Sequence, residues 1–347
     1  MSIYKLKDFF KNILLYFVLA AVTPSLFCSC DDSFIYENED DCNPYYKVKF
    51  SYDWNLKFAD AFQNEVNEVT LYLVDADGKV VWSKREAGET VKADGYMMDV
   101  DVQPGTYTLL AWAGEGHKNH FEIPESLLAG ELSSSLIRDR GPEGMAESSR
   151  LLKDLYHGLK YDVVFPNEEG IHMFKLPLIK DTNHITVVLQ HLSGEKVESD
   201  KFRFEITADN GLMDWDNSLL EDEIITYRPY RLEEGTAGII KEDMAQSGRA
   251  TESVSAAVAS FTMSRLVEDK DVRISVYNKE TGKRVFSIPL IDYAVLVKGK
   301  YGSMGNQEYL DRQDDYNMTF FLDENDDWMS AYIYINSWKV LLQHSSL

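Results

Sequence analysis

From Tyr45 onward, apolar and polar residues alternate in short runs with turn signals between them, and this period of two confines the chain to β-sheet. Lys47-Val48-Lys49-Phe50-Ser51-Tyr52 reads as a half-buried strand. Residues 69–74 (VTLYLV) and 79–82 (KVVW) flank Asp75-Ala76-Asp77-Gly78, an Asp-Gly hairpin signal. Residues 97–102 alternate again, and Gln103-Pro104-Gly105 turns the chain into 106–113. Further strands are predicted at 159–165, 172–178, 184–190, 202–207, 260–266, 272–277, 284–290, 316–322, 332–335 and 338–342. Lys279-Glu280-Thr281-Gly282 is a turn between two of them. Helical or irregular character is confined to 59–66, 292–299 and 307–313. Residues 125–155 read as a long loop or poorly ordered insertion, and 210–259 as loop-rich with few clear strands. This pattern predicts an all-β chain with a β-sandwich in each half, 45–180 and 181–347.

The first 29 residues have a different character. Lys5, Lys7 and Lys11 precede an uninterrupted apolar run, 13–22 (ILLYFVLAAV), and small Ser29 stands before Cys30. A basic start, a short apolar stretch and a small residue before the cut define a secretory signal. Ten apolar residues span only about 15 Å as helix, too little for a bilayer core of about 30 Å. The cysteine after Ser29 turns the signal into a lipoprotein signal: cleavage before Cys30 would leave a thiol and a new amino terminus to be acylated. More than one acyl chain makes such attachment stable. Cys28 is the rival position, but bulky Phe27 before it suits cleavage poorly. Phe27 also stands where bacterial lipoboxes usually carry Leu.

Cleavage before Cys30 removes three lysines and one aspartate, leaving 32 basic against 57 acidic residues. That balance excludes general nucleic-acid binding, which needs clustered Lys and Arg to release counterions. It also argues against adhesion to anionic lipid by charge, so the acyl group would hold the protein to the membrane. Once Cys30 is acylated, only Cys42 remains and no intramolecular disulfide is available, leaving core burial to supply stability. Residues 30–44 carry six acids and no periodicity, and read as an extended acidic tether. Acids directly after the lipidated cysteine resemble the export signal of Bacteroides-type surface lipoproteins.

Chemistry is hard to find. The chain lacks a Gly-rich phosphate loop, a Gly-x-Ser-x-Gly elbow and a His-Glu-x-x-His helix. His117 and His120 have i, i+3 spacing in a Gly-rich stretch but no third metal ligand nearby, so a solvated loop accounts for them. His157, His172, His184 and His191 are scattered and read as surface or turn residues. Asp75-Ala76-Asp77-Gly78 and Asp323-Glu324-Asn325-Asp326-Asp327 invite a calcium reading but lack the spaced oxygens of an EF-hand and are better read as turns. Asp214-Trp215-Asp216 offers part of a sugar platform; core packing is the preferred role for most of the six tryptophans. Accordingly no catalytic, cofactor-binding or metal-binding residue is assigned, no cofactor is expected, and the chain is read as no enzyme. Cys30 is the one site residue, for lipidation.

An ordered set of segments carries a resemblance. It runs Asp40-Asp41-Cys42-Asn43-Pro44, Val48-Lys49-Phe50-Ser51-Tyr52-Asp53-Trp54-Asn55, Asp60-Ala61-Phe62, Glu65-Val66 and Val69-Thr70-Leu71-Tyr72-Leu73-Val74-Asp75. Then come Gly105-Thr106-Tyr107-Thr108-Leu109-Leu110-Ala111-Trp112-Ala113-Gly114, Leu155-Tyr156-His157-Gly158, Asp181-Thr182-Asn183-His184-Ile185 and Ile333-Tyr334-Ile335-Asn336-Ser337-Trp338. The chain resembles the fimbrillin-A associated anchor proteins, lipidated minor subunits at the cell end of Bacteroides-type fimbriae. The resemblance implies two tandem transthyretin-like β-sandwiches, fimbrial (pilin) subunits as partners, and a surface-exposed position on the outer membrane. It also implies a part in holding the fibre and in control of its length. Ser337 departs from the pattern, since relatives often carry Gly before the tryptophan. An open sheet edge offers unpaired backbone groups that an extended segment of the next subunit can complete as an added strand. The competing expectation is a surface glycan-binding lipoprotein, which exposed coplanar aromatic rings would favour.

Overall fold

A computed structural model describes residues 43–114, 119–240, 251–330 and 332–341. Cys28, Cys30, Cys42 and His117 lie outside the described residues, as do the expected signal peptide and nearly all of the expected tether. The described chain is all-β in architecture, with short helices in its connections.

The first core lies between two sheets. One has the order Gly170–Pro177, Pro44–Ser51, Met98–Val100; the other runs Ile179–Lys180, Leu155–Phe165, Gly105–Gly114, Glu68–Val74, Val80–Ala87. Alternation decides which side chains meet. Tyr46, Val48 and Phe50 point inward from the first sheet, Val69, Leu71 and Leu73 from the second, and all six are buried in one apolar cluster. The Asp-Gly turn forms as predicted. Asp75 Oδ1 accepts the Asp77 and Lys79 N–H groups at 3.0 and 2.9 Å, and Gly78 takes φ +76°.

The second core is built the same way. One sheet has the order Arg231–Ile240, Thr251–Ser264, Thr182–His191, Asp315–Leu322, Tyr332–Ile335, Trp338–Leu341. The other has Arg284–Pro289, Arg273–Asn278, Phe202–Ala208, Ile225–Tyr227, Ala146–Ser148, Asp139–Arg140. Phe202, Phe204 and Ile206 face Ile185, Val187 and Leu189 across it. The expected helical stretches form at Phe62–Glu65, Leu290–Val295 and Asn306–Arg312.

Two expectations are corrected. Residues 125–155 are not a poorly ordered loop. Ser134–Leu136 pairs with Leu212–Met213, Ala146–Ser148 runs parallel to Ile225–Tyr227, and Phe121, Leu136, Ala146 and Leu152 join the second core. Strands of two or three residues are too short to show a period, and their partners lie far along the chain. Likewise 210–259 is not mainly loop: Arg231–Ile240 and Thr251–Ser264 pair continuously from Arg231↔Ser260 to Ile240↔Thr251. Their Ala, Gly and Ser residues carry little apolar signal, yet the backbone ladder needs none. Ala257 and Ala259 are buried in the second core because small side chains suffice where the strand crosses it.

Candidate functional site

Two features of the fold bear on function: the open edges of the sheets and the junction where one sandwich meets the other. Most edges are blunted. Met98–Val100, Asp139–Arg140 and Ile179–Lys180 are two or three residues long, and Arg284–Pro289 ends in proline. Val80–Ala87 presents Lys84 paired with Glu86 and Arg85 paired with Glu68. Arg231–Ile240 carries Arg231 paired with Glu233, and Glu234 paired with Lys196. Gly170–Pro177 differs. Its outward row exposes Ile171 and Met173, 64% and 67%, before ending in Lys175, paired with Asp53, and in Pro177; Tyr161 and Val164 of the preceding strand are also exposed. Inward, Phe174 stacks on Phe165 at 4.3 Å. Alternation thus anchors one face of this edge and leaves Ile171 and Met173 exposed on the other.

The junction gathers around Lys180-Asp181-Thr182-Asn183-His184. Lys180 is buried, and its Nζ lies 2.9 Å from Asp314, 3.1 Å from Asp154 and 3.6 Å from Glu65. Burial opposes its charge, but Asp314 and Asp154 hold its pKa above the ordinary lysine value. Burial likewise works against ionised Asp154, yet His184 and Lys180 outweigh it and bring that carboxyl down to about 2. Asp181 sits in the opposite situation. It is fully buried, Asn217 Nδ2 donates to its Oδ1 at 2.9 Å, and its Oδ2 has no partner. Arg265 Nε stands 3.8 Å away, but that guanidinium forks onto Asp311 with two bonds of 2.9 Å. Two carboxylates therefore share one cation. Burial, with Asp311 adding to it, pushes Asp181 up to about 7 despite Arg265 and Asn217.

Sequence reasoning named these junction residues only as part of a pattern. Nothing local marks their partners: Glu65, Asn217, Arg265 and Asp311 come from distant segments. The remaining candidates fall as follows. Asp323 Oδ1 accepts the Asn325 and Asp327 N–H groups, so this acidic run is a turn. Asp216 likewise accepts from the Ser218 N–H, and Trp215 meets Tyr161 of the strand Leu155–Phe165 edge to face at 6.1 Å. Two histidines correct the surface reading. His157 is buried with Nε2 2.9 Å from the Trp215 carbonyl, and burial lowers its pKa to about 4. His191 is buried between the Asp323 carbonyl and Asp326. His120 is half-buried, and burial lowers its pKa. Trp112 is wholly buried and donates to the Leu132 carbonyl at 3.0 Å, while Trp338 is 58% exposed. Among the described residues no helix is long and apolar enough to cross a membrane.

Layered sheets, a polar junction and an open edge define an all-β sandwich protein whose features suit association. The sequence profile of the fimbrillin-A associated anchor proteins Mfa1 and Mfa2 matches residues 38–344, and the chain belongs to that family. A candidate adhesin from Bacteroides thetaiotaomicron VPI-5482 is 31% identical, with a TM-score of 0.74 over 87% of this chain and 99% of that one. A candidate polysaccharide-binding protein from the same organism is 30% identical, with a TM-score of 0.73 and the same coverage. The fimbrial anchor protein Mfa2 from Porphyromonas gingivalis shares the fold at 16% identity, with a TM-score of 0.63 over 87% of this chain and 100% of that one. No curated protein matched the sequence significantly. Membership places the chain among fimbria-associated proteins of adhesin type, a class that is structural rather than enzymatic.

Proposed function

We propose that this protein is an outer-membrane lipoprotein, acylated at Cys30, that attaches a fimbrial polymer to the cell surface as its anchor or a minor subunit. The acidic tether 30–44 lifts the body from the membrane, and 45–180 and 181–347 are its two sandwich domains, with 121–152 crossing from the first to the second. The partner is a fimbrial subunit that contributes an extended segment by strand addition. The observation that carries this reading is the edge Gly170–Pro177, eight residues long, whose outward row exposes Ile171 and Met173 ahead of Lys175. An added strand would pair its backbone there and lay alternate apolar side chains over those two residues.

A pull-down from surface-sheared material tests it. Fimbrial subunits are expected to co-purify with the wild-type chain and to be lost with Met173→Lys, while the melting temperature stays within about a degree, since exposed substitutions cost little. Capture undiminished by Met173→Lys would remove this edge from the proposal. An unmodified amino terminus by mass spectrometry, with protein washing free in buffer, would remove the lipid anchor. The glycan-binding reading draws on exposed Trp338 and on the polysaccharide-binding description of one relative; retained polysaccharide without fimbrial subunits is its signature.

A further inference from the structure

We infer that Arg312 pins the junction between the sandwiches as a lock, adding to the packing of Trp112, Phe121, Leu152 and Leu155 in the second core, so that the two cores unfold, and resist load, as one unit. This inference stands apart from the anchor reading and holds whatever the partner is.

Arg312 ends the helix Asn306–Arg312 of the second sandwich, and the groups it meets across the junction lie within residues 53–58 of the first. Its guanidinium carbon is 4.4 Å from the centre of the Trp54 ring and 5.0 Å from that of Phe58, so the planar cation is within cation–π range of both rings. Its Nη1 donates to the Asp53 carbonyl at 3.1 Å, and its own carbonyl accepts the Leu56 N–H at 3.2 Å. Tyr301 adds a hydroxyl bond to the Leu56 carbonyl at 3.3 Å and brings its ring to 6.2 Å from Phe58. Glu308, one turn earlier on the helix, accepts from Arg312 Nε at 2.9 Å and fixes the guanidinium plane.

The receiving loop is built to hold still. Asn55 Nδ2 donates to both the Tyr52 and Ala59 carbonyls, and Asp60 Oδ1 accepts from the Tyr52 and Phe62 N–H groups. Within it Phe58 adopts φ +52°, a conformation that bulky L-residues avoid. Its own burial does not offset that strain, because the ring remains 56% exposed. What the conformation achieves is the placement of the ring over Arg312. An observed backbone outlier thus points to a function, here a mechanical one. The Lys180 cluster supports the same junction by joining Asp314 of the second sandwich to Glu65 and Asp154 of the first.

Phe58→Gly discriminates between a lock and mere strain, because the two give opposite signs. Scanning calorimetry of the purified full chain is expected to show a single transition whose van't Hoff and calorimetric enthalpies agree. If Phe58 is part of the lock, Phe58→Gly weakens the junction: the midpoint falls despite the relief of backbone strain, and the van't Hoff enthalpy drops below the calorimetric value. If Phe58 is only a strained surface residue, glycine relieves the strain, one transition persists and its midpoint rises, which overturns the inference. Arg312→Lys keeps the charge but loses the planar stack, and is expected to lower the midpoint in the same way. Wild-type behaviour of Arg312→Lys would equally overturn it, as would two transitions in the unmodified chain.

Discussion

Replacing Asp181 by asparagine is expected to change the pH profile of stability in a way that follows from counting protons. Asp181 titrates near 3.8 in the unfolded chain and at about 7 in the fold, because it is buried beside a single cation already engaged by Asp311. Between those values the folded state holds a proton that the unfolded state has released, so this group makes stability fall as pH rises, by up to about 1.4 kcal/mol per unit. His157 acts in the opposite direction. Its pKa is lowered from 6.5 to about 4, so over that range the unfolded state holds the extra proton and stability rises with pH. The two nearly cancel in the wild type between about pH 4 and 6.5. Asp181→Asn removes only the first. The difference in unfolding free energy, variant minus wild type, should therefore climb from about pH 4 to 7 by roughly 4 kcal/mol in all. The amide takes the place of the unpartnered Oδ2, and Arg265 keeps Asp311, so no cation is left alone. Urea unfolding followed by tryptophan fluorescence at about pH 5, 6, 7 and 8 measures this difference directly. Parallel curves for the two proteins would refute the assignment of an excess buried charge at the junction, and a difference that shrank with pH would reverse it.

Ser337→Gly should stabilise the protein: Ser337 has φ +72° in the turn between Tyr332–Ile335 and Trp338–Leu341, and glycine removes a penalty of about 1 kcal/mol, read as a rise of roughly 2 °C by calorimetry. Gly114→Ala should cost about 3 kcal/mol or more, seen as a lower urea midpoint or loss of soluble protein, because φ is +149° and a methyl group would run into the Asp154 carbonyl. Asp154→Asn should lose about 2 kcal/mol at pH 7 but little at pH 2. The wild-type carboxylate, held at about 2, contributes stability that is present above pH 3.8 and fades as pH falls through 2.

Much of this architecture was legible because a half-buried strand writes its geometry into the sequence. Val69, Leu71 and Leu73 alternate with Thr70 and Tyr72, and the structure buries the first three. Asp75 and Gly78 announced their hairpin since the turn demands a side-chain acceptor and a left-handed residue at those places. The failures are equally physical. Ala146–Ser148 is three residues long and pairs parallel with Ile225–Tyr227, far along the chain, so no local window contains the cause of its conformation. Thr251–Ser264 is rich in Ala and Ser, and its strand state is imposed by the neighbours on either side. His157 looked like one more scattered histidine until tertiary packing closed Trp112 and Trp215 around it.

The amino-acid order by itself determined the class, all-β, since periodicity and turn residues are local properties. Tertiary structure alone decided which edge stays open, which carboxylates share a cation, and that Arg312 reaches Trp54 and Phe58. Those outcomes depend on distances between residues far apart in the chain, and a sequence carries no local record of a distance that only its folding creates.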